Sequence, residues 1–337
     1  MSQAFRRNLI TAAVIALALS VISSAAFAQY TATTLVKNTG KKGDKQLINP
    51  WGLAYAPGAP FWLSDQGSGL STLYDGSGNK QSLVVTIPPA SGTGLGSPTG
   101  IVYNGGSGFK IDNWTSAFMF VTLDGLICGW SHFDPNNALI GVNNWTSGAV
   151  YTGMAINAAN TMVYAADFAN NKIDVYDSNF KFVMSFTDTA LPAGFAPLNV
   201  QDIGGQLYVA FAAQNGGSGG YIDIFTEGGS FVKTLIKGKP LNQPFGFAMA
   251  PSNFGSLSNT LLISNNTNTG TINGFNPTTG ALVGTIKNSA GKMLHFNQIW
   301  GIEFGGGTSS NGNTNSLYYT AGPKNNANGV FGVINAN

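Results

Sequence analysis

Polar side chains that could hold a cation follow several short apolar runs of the sequence. Each stands at or just after the end of a run that predicts a β-strand, and the four are Asp65, Asp124, Asp167 and Asn265. Hard cations such as Ca²⁺ bind carboxylate and amide oxygens. A ring of these side chains would therefore bind Ca²⁺ or another divalent cation. Taken singly, each could instead cap its own turn through side-chain to backbone hydrogen bonds.

Glu303 and Gln201 occupy equivalent positions, two residues after the turn residue of a repeated segment. Other copies of the segment carry a small apolar residue there, as at Ala54 and Ala248. We expect both side chains to project in the same direction relative to their own copy. If that direction is a central axis, Glu303 is a candidate catalytic residue, either as a metal ligand or as a general base. A buried acid held only by hydrogen bonds is the alternative.

Three aromatic residues, Trp51, Phe245 and Trp300, stand immediately before the turn residue of the same repeat. They could form an aromatic arc at a channel mouth that stacks on a sugar or another apolar face. They could equally wedge neighbouring units together. With Asn49 and Gln201, they form the predicted ligand-binding set.

The repeat itself is a turn ending in Gly that leads into a short apolar run. Its turn residues lie 46 to 55 residues apart, at Gly52, Gly100, Gly153, Asn199, Gly246 and Gly301. That spacing matches a four-stranded propeller blade, and β-rich runs separated by Gly/Asn turns complete each copy. Asn199 fits as a replacement if the turn requires a left-handed backbone, which Asn tolerates. Six copies predict an all-β, six-bladed β-propeller of four-stranded blades.

The two ends of the repeat region predict how the ring closes. The last copy supplies only three strands, ending near Ile334, whereas residues 30–36 precede the first copy and have no place in it. We expect this N-terminal strand to pair with the C-terminal blade and complete it, which removes an exposed sheet edge.

The first 28 residues predict a signal peptide. Arg6 and Arg7 precede an apolar run at residues 9–22, which ends at the small-residue site Ala26-Phe27-Ala28. We therefore expect residues 29–337 to form a single secreted or periplasmic domain without a membrane span. Without the two arginines, 14 basic residues stand against 14 acidic ones. This neutrality argues against nucleic acid and anionic membranes as partners.

Residues 29–337 resemble a family of uncharacterised secreted bacterial proteins with NHL-like six-bladed propellers. The segments that carry the resemblance are Asn49-Pro50-Trp51-Gly52-Leu53-Ala54, Asp124-Gly125, Gly129-Trp130, Ile173-Asp174-Val175-Tyr176-Asp177-Ser178-Asn179-Phe180, Gly204-Gly205-Gln206-Leu207-Tyr208-Val209, Pro251-Ser252-Asn253-Phe254-Gly255 and Thr320-Ala321-Gly322-Pro323. The resemblance implies the fold and export, but no established activity. The chain departs from the family pattern at Glu303, where the family has an apolar residue, and at Leu123, where it has an acid.

These features favour a monomeric binding module whose channel-mouth loops contact a small molecule, a glycan or an envelope protein. The alternative is a divalent-cation-dependent hydrolase or lactonase-like enzyme that uses Glu303 with Asp and Asn oxygens at the central channel. A structural envelope component is a third interpretation. A bound divalent ion that depends on Glu303 would favour the enzyme.

Overall fold

The computed structural model describes residues 29–337, so the predicted signal peptide lies outside the described residues. Strands follow one another with short turns between them. In chain order they are β1 (Tyr30–Lys37), β2 (Pro50–Tyr55), β3 (Phe61–Asp65), β4 (Leu70–Tyr74), β5 (Lys80–Thr86), β6 (Pro98–Tyr103), β7 (Lys110–Ile111), β8 (Trp114–Thr115), β9 (Phe118–Thr122), β10 (Leu126–Trp130), β11 (Leu139–Asn143), β12 (Tyr151–Ile156), β13 (Met162–Asp167), β14 (Lys172–Asp177), β15 (Phe182–Phe186), β16 (Phe195–Asp202), β17 (Gln206–Ala213), β18 (Tyr221–Thr226), β19 (Phe231–Lys237), β20 (Pro244–Met249), β21 (Leu261–Asn265), β22 (Ile272–Phe275), β23 (Leu282–Thr285), β24 (Ile299–Phe304), β25 (Ser316–Ala321) and β26 (Val330–Ala336). Short 3₁₀ turns occupy Trp145–Ser147 and Gly255–Leu257. No helix within the described range is long and apolar enough to cross a membrane.

Six four-stranded antiparallel sheets form the blades of a β-propeller. Blade 1 contains β2 to β5, and blade 2 contains β6, β9, β10 and β11, with the small β7–β8 hairpin inserted after its first strand. Blades 3, 4 and 5 contain β12 to β15, β16 to β19 and β20 to β23. Blade 6 contains β24, β25, β26 and β1. The predicted all-β fold, with six blades of four strands, is confirmed.

The ring closes as the sequence predicts, because β1 supplies the outermost strand of the last blade. It pairs antiparallel with β26 through seven aligned residue pairs, beginning with Tyr30 opposite Ala336. Tyr30 is buried, and its hydroxyl donates to the carbonyl of Phe254 at 3.0 Å and accepts from the amide of Leu257 at 3.0 Å. These two bonds anchor the strand to the neighbouring blade 5.

The repeat glycines are required by close approach of neighbouring blades. A Cβ at Gly153 would lie 2.0 Å from Oδ1 of Asn199, and one at Gly246 would lie 2.7 Å from the carbonyl oxygen of Trp300. Neither glycine has a positive φ, nor does Asn199, so the predicted left-handed turn is wrong. Asn199 instead donates from Nδ2 to the carbonyl of Phe245 on the next blade at 2.9 Å. The repeat position therefore serves contact between blades.

Aromatic packing fills the spaces between blades. Trp62 of blade 1 stacks on Phe118 of blade 2, with ring centroids 4.1 Å apart, and Trp130 packs against the same indole at 4.6 Å. All three side chains are buried. Because such rings bury large apolar areas, these contacts hold blades 1 and 2 against each other.

Candidate functional site

The first strands of the six blades surround an axial cavity of about 310 Å³. Its lining runs from the repeat turn residues to the carboxyl ends of these strands and is mostly backbone and small or apolar side chains. The acidic side chains of Asp202 and Glu303 line it together with the amide of Gln201. The described lining residues include no Lys, Arg or His. The charged groups in the cavity lining are therefore all acidic.

An aromatic plug closes the cavity at the amino ends of the first strands. It consists of Trp51, Leu198, Phe245 and Trp300, which pack in one buried cluster and are 2–7% exposed. The indoles of Trp51 and Trp300 stack with centroids 3.6 Å apart and an interplanar angle of 17°. Phe245 packs edge-on against both, at 5.7 Å and 5.0 Å. The three rings thus contact each other across blades 5, 6 and 1.

Asn49 fixes the plug from outside the cavity. Its Oδ1 accepts a hydrogen bond from Nε1 of Trp300 at 3.0 Å, and its Nδ2 donates to Gln66 at 2.7 Å. Nε1 of Trp51 is buried without a hydrogen-bond partner among the described residues. Of the predicted ligand-binding set, Gln201 lines the cavity and Phe245 belongs to both the lining and the plug. Trp51 and Trp300 lie in the plug only, and Asn49 lies behind it.

The cavity opens at the carboxyl ends of the first strands. There Tyr55, Tyr103, Ile156 and Asp202 line its edge and are only partly buried, and Met249 is 38% exposed. This rim lies at the end of the cavity opposite to the aromatic plug. The sequence carried a signal for this rim, because its residues stand three positions after each repeat turn residue.

Glu303 is partly buried in the cavity wall and forms no hydrogen bond within the described structure. Burial raises the pKa of its carboxyl to about 7. The pKa of the Tyr55 phenol is raised to about 12. Burial is the main cause, and the nearby carboxylate of Glu303 is the second. The Tyr55 hydroxyl donates to the carbonyl of Phe304 at 3.0 Å and so leaves Glu303 without a partner. Near neutral pH, Glu303 can therefore accept or release a proton, or pair with a cation.

A second acid stands at the open end. Oδ1 of Asp202 accepts from the amide of Gly205 at 3.0 Å, while its Oδ2 is buried without a partner among the described residues. Burial raises the pKa of this carboxyl, the Gly205 bond lowers it, and the neighbouring carboxyl of Glu227 raises it further. Both acids at the cavity thus lack a basic partner.

The four predicted cation ligands do not line this cavity. Each lies at the end of its blade's second strand or in the adjoining turn, where it makes local hydrogen bonds. The partners are Thr72 for Asp65, Ala90 and Thr122 for Asp124, Val150 and Asn170 for Asp167, and Asn242, Pro240 and Thr271 for Asn265. Across residues 29–337, no three His, Cys, Asp or Glu side chains form a group that could hold a metal ion. Cation binding, and the hydrolase that depends on it, remain predictions.

Comparison with known proteins identifies relatives by sequence. No protein-family model matches the chain. An uncharacterised protein of Acanthamoeba polyphaga mimivirus is 31% identical over 281 residues, which cover 77% of this chain and 74% of the viral protein. This chain belongs to the same family. A second uncharacterised protein of that virus is 28% identical over 317 residues, covering 88% of this chain and 77% of the relative.

Solved structures agree on the fold. A streptogramin B lyase superposes with a TM-score of 0.57 at 14% identity, covering 93% of this chain and all of the lyase. A Bacteroides thetaiotaomicron protein of unknown function gives 0.57 at 12% identity, covering 90% of this chain and 76% of that one. At such low identity these neighbours share the architecture alone.

Proposed function

We propose that this protein binds a small organic cation in the axial cavity, with Glu303 as the group that recognises its charge. The observation that carries the proposal is a carboxyl in the cavity wall with no hydrogen-bond partner in the described structure and a pKa raised by burial to about 7. An ammonium group would supply the missing partner and favour the ionised form. The proposal keeps the binding function that the sequence favours and assigns it to the axis instead of the channel-mouth loops.

The rest of the lining suits a ligand with an apolar body. Phe245 belongs to the plug at the closed end of the cavity, and the aromatic side chains of Tyr55 and Tyr103 stand at its rim. Aromatic faces attract organic cations as well as apolar groups. A volume of about 310 Å³ lies at the lower end of the usual range for ligand pockets, which limits the occupant to a small molecule.

Gln201 would give the site its second polar contact. It occupies the position on blade 4 that Glu303 occupies on blade 6, and its amide forms no hydrogen bond in the described structure. An amide offers both a donor and an acceptor. We therefore expect the ligand to carry a hydroxyl or carbonyl group in addition to its cationic nitrogen.

Titration calorimetry with cyclohexylammonium, tetramethylammonium and choline tests the proposal, with neutral cyclohexanol as the matched ligand. We expect the ammonium ions to bind, cyclohexanol to bind much more weakly, and affinity to rise with pH as Glu303 ionises through its pKa of about 7. Glu303→Gln removes the charge and should lower the affinity for cyclohexylammonium, which has N–H groups that can bond to the carboxylate, about tenfold or more, since a hydrogen bond to a charged group contributes about 1.5–3 kcal/mol.

Asp112→Asn provides the control, because Asp112 is an exposed acid on blade 2 whose φ of 50° Asn tolerates. It makes the same change in charge away from the cavity and should leave affinity unchanged. The proposal fails if no ammonium ion binds, or if Glu303→Gln binds these ions as tightly as the parent protein.

We also propose that the protein acts outside the cytoplasm, as an exported propeller with NHL-like blades. The support is the arginine pair, apolar run and small-residue site within residues 6–28. Expression of the full chain in a bacterium, followed by fractionation and N-terminal sequencing, should yield a product beginning at Gln29 outside the cytoplasm. A full-length product retained in the cytoplasm would contradict export.

A further inference from the structure

A pocket of about 660 Å³ lies at the seam where the ring closes. One wall is the end of β1 on blade 6, and another is the turn between β4 and β5 on blade 1. The segment that links β1 to β2, residues 38–49, forms the third wall through residues 39–44. The pocket therefore joins the first and last blades of the propeller.

Lysines gather around this pocket although the protein carries no net charge outside residues 1–28. Four of them line it, namely Lys37, Lys41, Lys42 and Lys80, and the lining includes a single acid, Asp44. Lys45 lies in the same segment, where its Nζ donates to the carbonyl of Asn38 at 2.9 Å. The balanced total charge of residues 29–337 thus conceals a local excess of positive charge.

The carboxylate of Asp44 already forms an ion pair and hydrogen bonds with groups of blade 1 and of its own segment. Oδ2 of Asp44 forms an ion pair with Nζ of Lys80 at 2.7 Å and accepts from the hydroxyl of Tyr74 at 2.6 Å. Its Oδ1 accepts from the amide of Gln46 at 3.0 Å. Lys37, Lys41 and Lys42 form no ion pair among residues 29–337. Three ammonium groups are therefore available to a ligand.

We propose that this seam pocket binds a small polyanion that carries several phosphate or sulfate groups. Ammonium groups on flexible stems form charge-assisted hydrogen bonds with such oxyanions. The volume exceeds what a single phosphate group needs, and three unpaired cations match a ligand with more than one charged group. Since the ligand contacts both blades at the seam, its binding stabilises the closed ring by mass action.

The test measures binding of tripolyphosphate and sucrose octasulfate by calorimetry, and the melting temperature of the protein with and without each. We expect each polyanion to bind with a dissociation constant on the order of micromolar, as several charged contacts together would give. Binding should weaken as salt is added, because salt screens these contacts. The double variant Lys41→Gln, Lys42→Gln should lose about tenfold or more in affinity. Because both lysines are exposed, its melting temperature without ligand should equal that of the parent.

The double variant Lys181→Gln, Lys292→Gln removes the same charge from exposed sites outside the pocket and should bind normally. Binding of tripolyphosphate alone identifies a phosphorylated ligand, and binding of sucrose octasulfate alone identifies a sulfated one. The proposal is overturned if neither polyanion binds, or if the two double variants lose affinity equally.

Discussion

Replacing Glu303 with Gln should stabilise the protein above neutral pH. Burial raises the pKa of this carboxyl to about 7, from an ordinary value of 4.5. The folded state therefore holds a proton that the unfolded state has lost, and stability falls as the pH rises from 4.5 to 7. At about 1.4 kcal/mol per pH unit this amounts to about 3 kcal/mol, and solvent reaching the open cavity reduces it to about 1–2 kcal/mol.

Urea unfolding of the parent and of Glu303→Gln over a pH series measures this difference without ligand. The two free energies of unfolding should converge at the acid end, where Glu303 is neutral in both states, and separate as the pH approaches 7. Asp112→Asn should show no such separation, since Asp112 is exposed. A gap between parent and Glu303→Gln that is the same at every pH would refute the argument, because it would then arise from packing.

Three further changes probe the closure of the ring, the contact between blades and a buried acid. Tyr30→Phe leaves a buried carbonyl and amide unpaired and should cost about 1–3 kcal/mol in urea unfolding, and no loss would mean that the hydroxyl does not anchor β1. Gly153→Ala should lower stability by about 1–3 kcal/mol through overpacking, whereas Gly228→Ala, whose new Cβ would meet only one atom at 3.7 Å, should not, and equal melting temperatures would contradict the close-approach argument. Burial raises the pKa of Asp223 to about 7, and the neighbouring carboxyl of Asp188 contributes to this shift. Asp223→Asn should therefore gain stability above pH 7 and lose that gain in acid, and a constant difference across pH would exclude this cause.

The number of blades could be predicted because each blade repeats its own local signals. A turn ending in Gly, a short apolar run and three further β-rich runs recur within about 50 residues, so the period is visible without long-range information. Closure followed from strand counting, since residues 30–36 had no other partner. The reason for the repeat glycines did not follow, because contact between Gly153 and Asn199 joins different blades and depends on how tightly the ring packs.

The candidate site was predictable in part for the same reason. Register alone placed Glu303 and Gln201 at equivalent positions, and both line the axis. Register could not show that Trp51 and Trp300 would stack and close one end, since their rotamers depend on the whole ring. Nor could it show that Oδ2 of Asp65 would accept hydrogen bonds from the amide and hydroxyl of Thr72 in its own blade.

Because the aromatic plug closes one end, the axial cavity is a pocket with a single opening and not a channel through the ring. Whatever enters past Tyr55 and Asp202 must leave by the same route, so a long polymer cannot thread through the ring. Only a free molecule, or the terminal group of a chain, fits such a dead end. A ligand then enters and leaves through the same opening, and a partner protein that covers this face would hold the bound ligand in place.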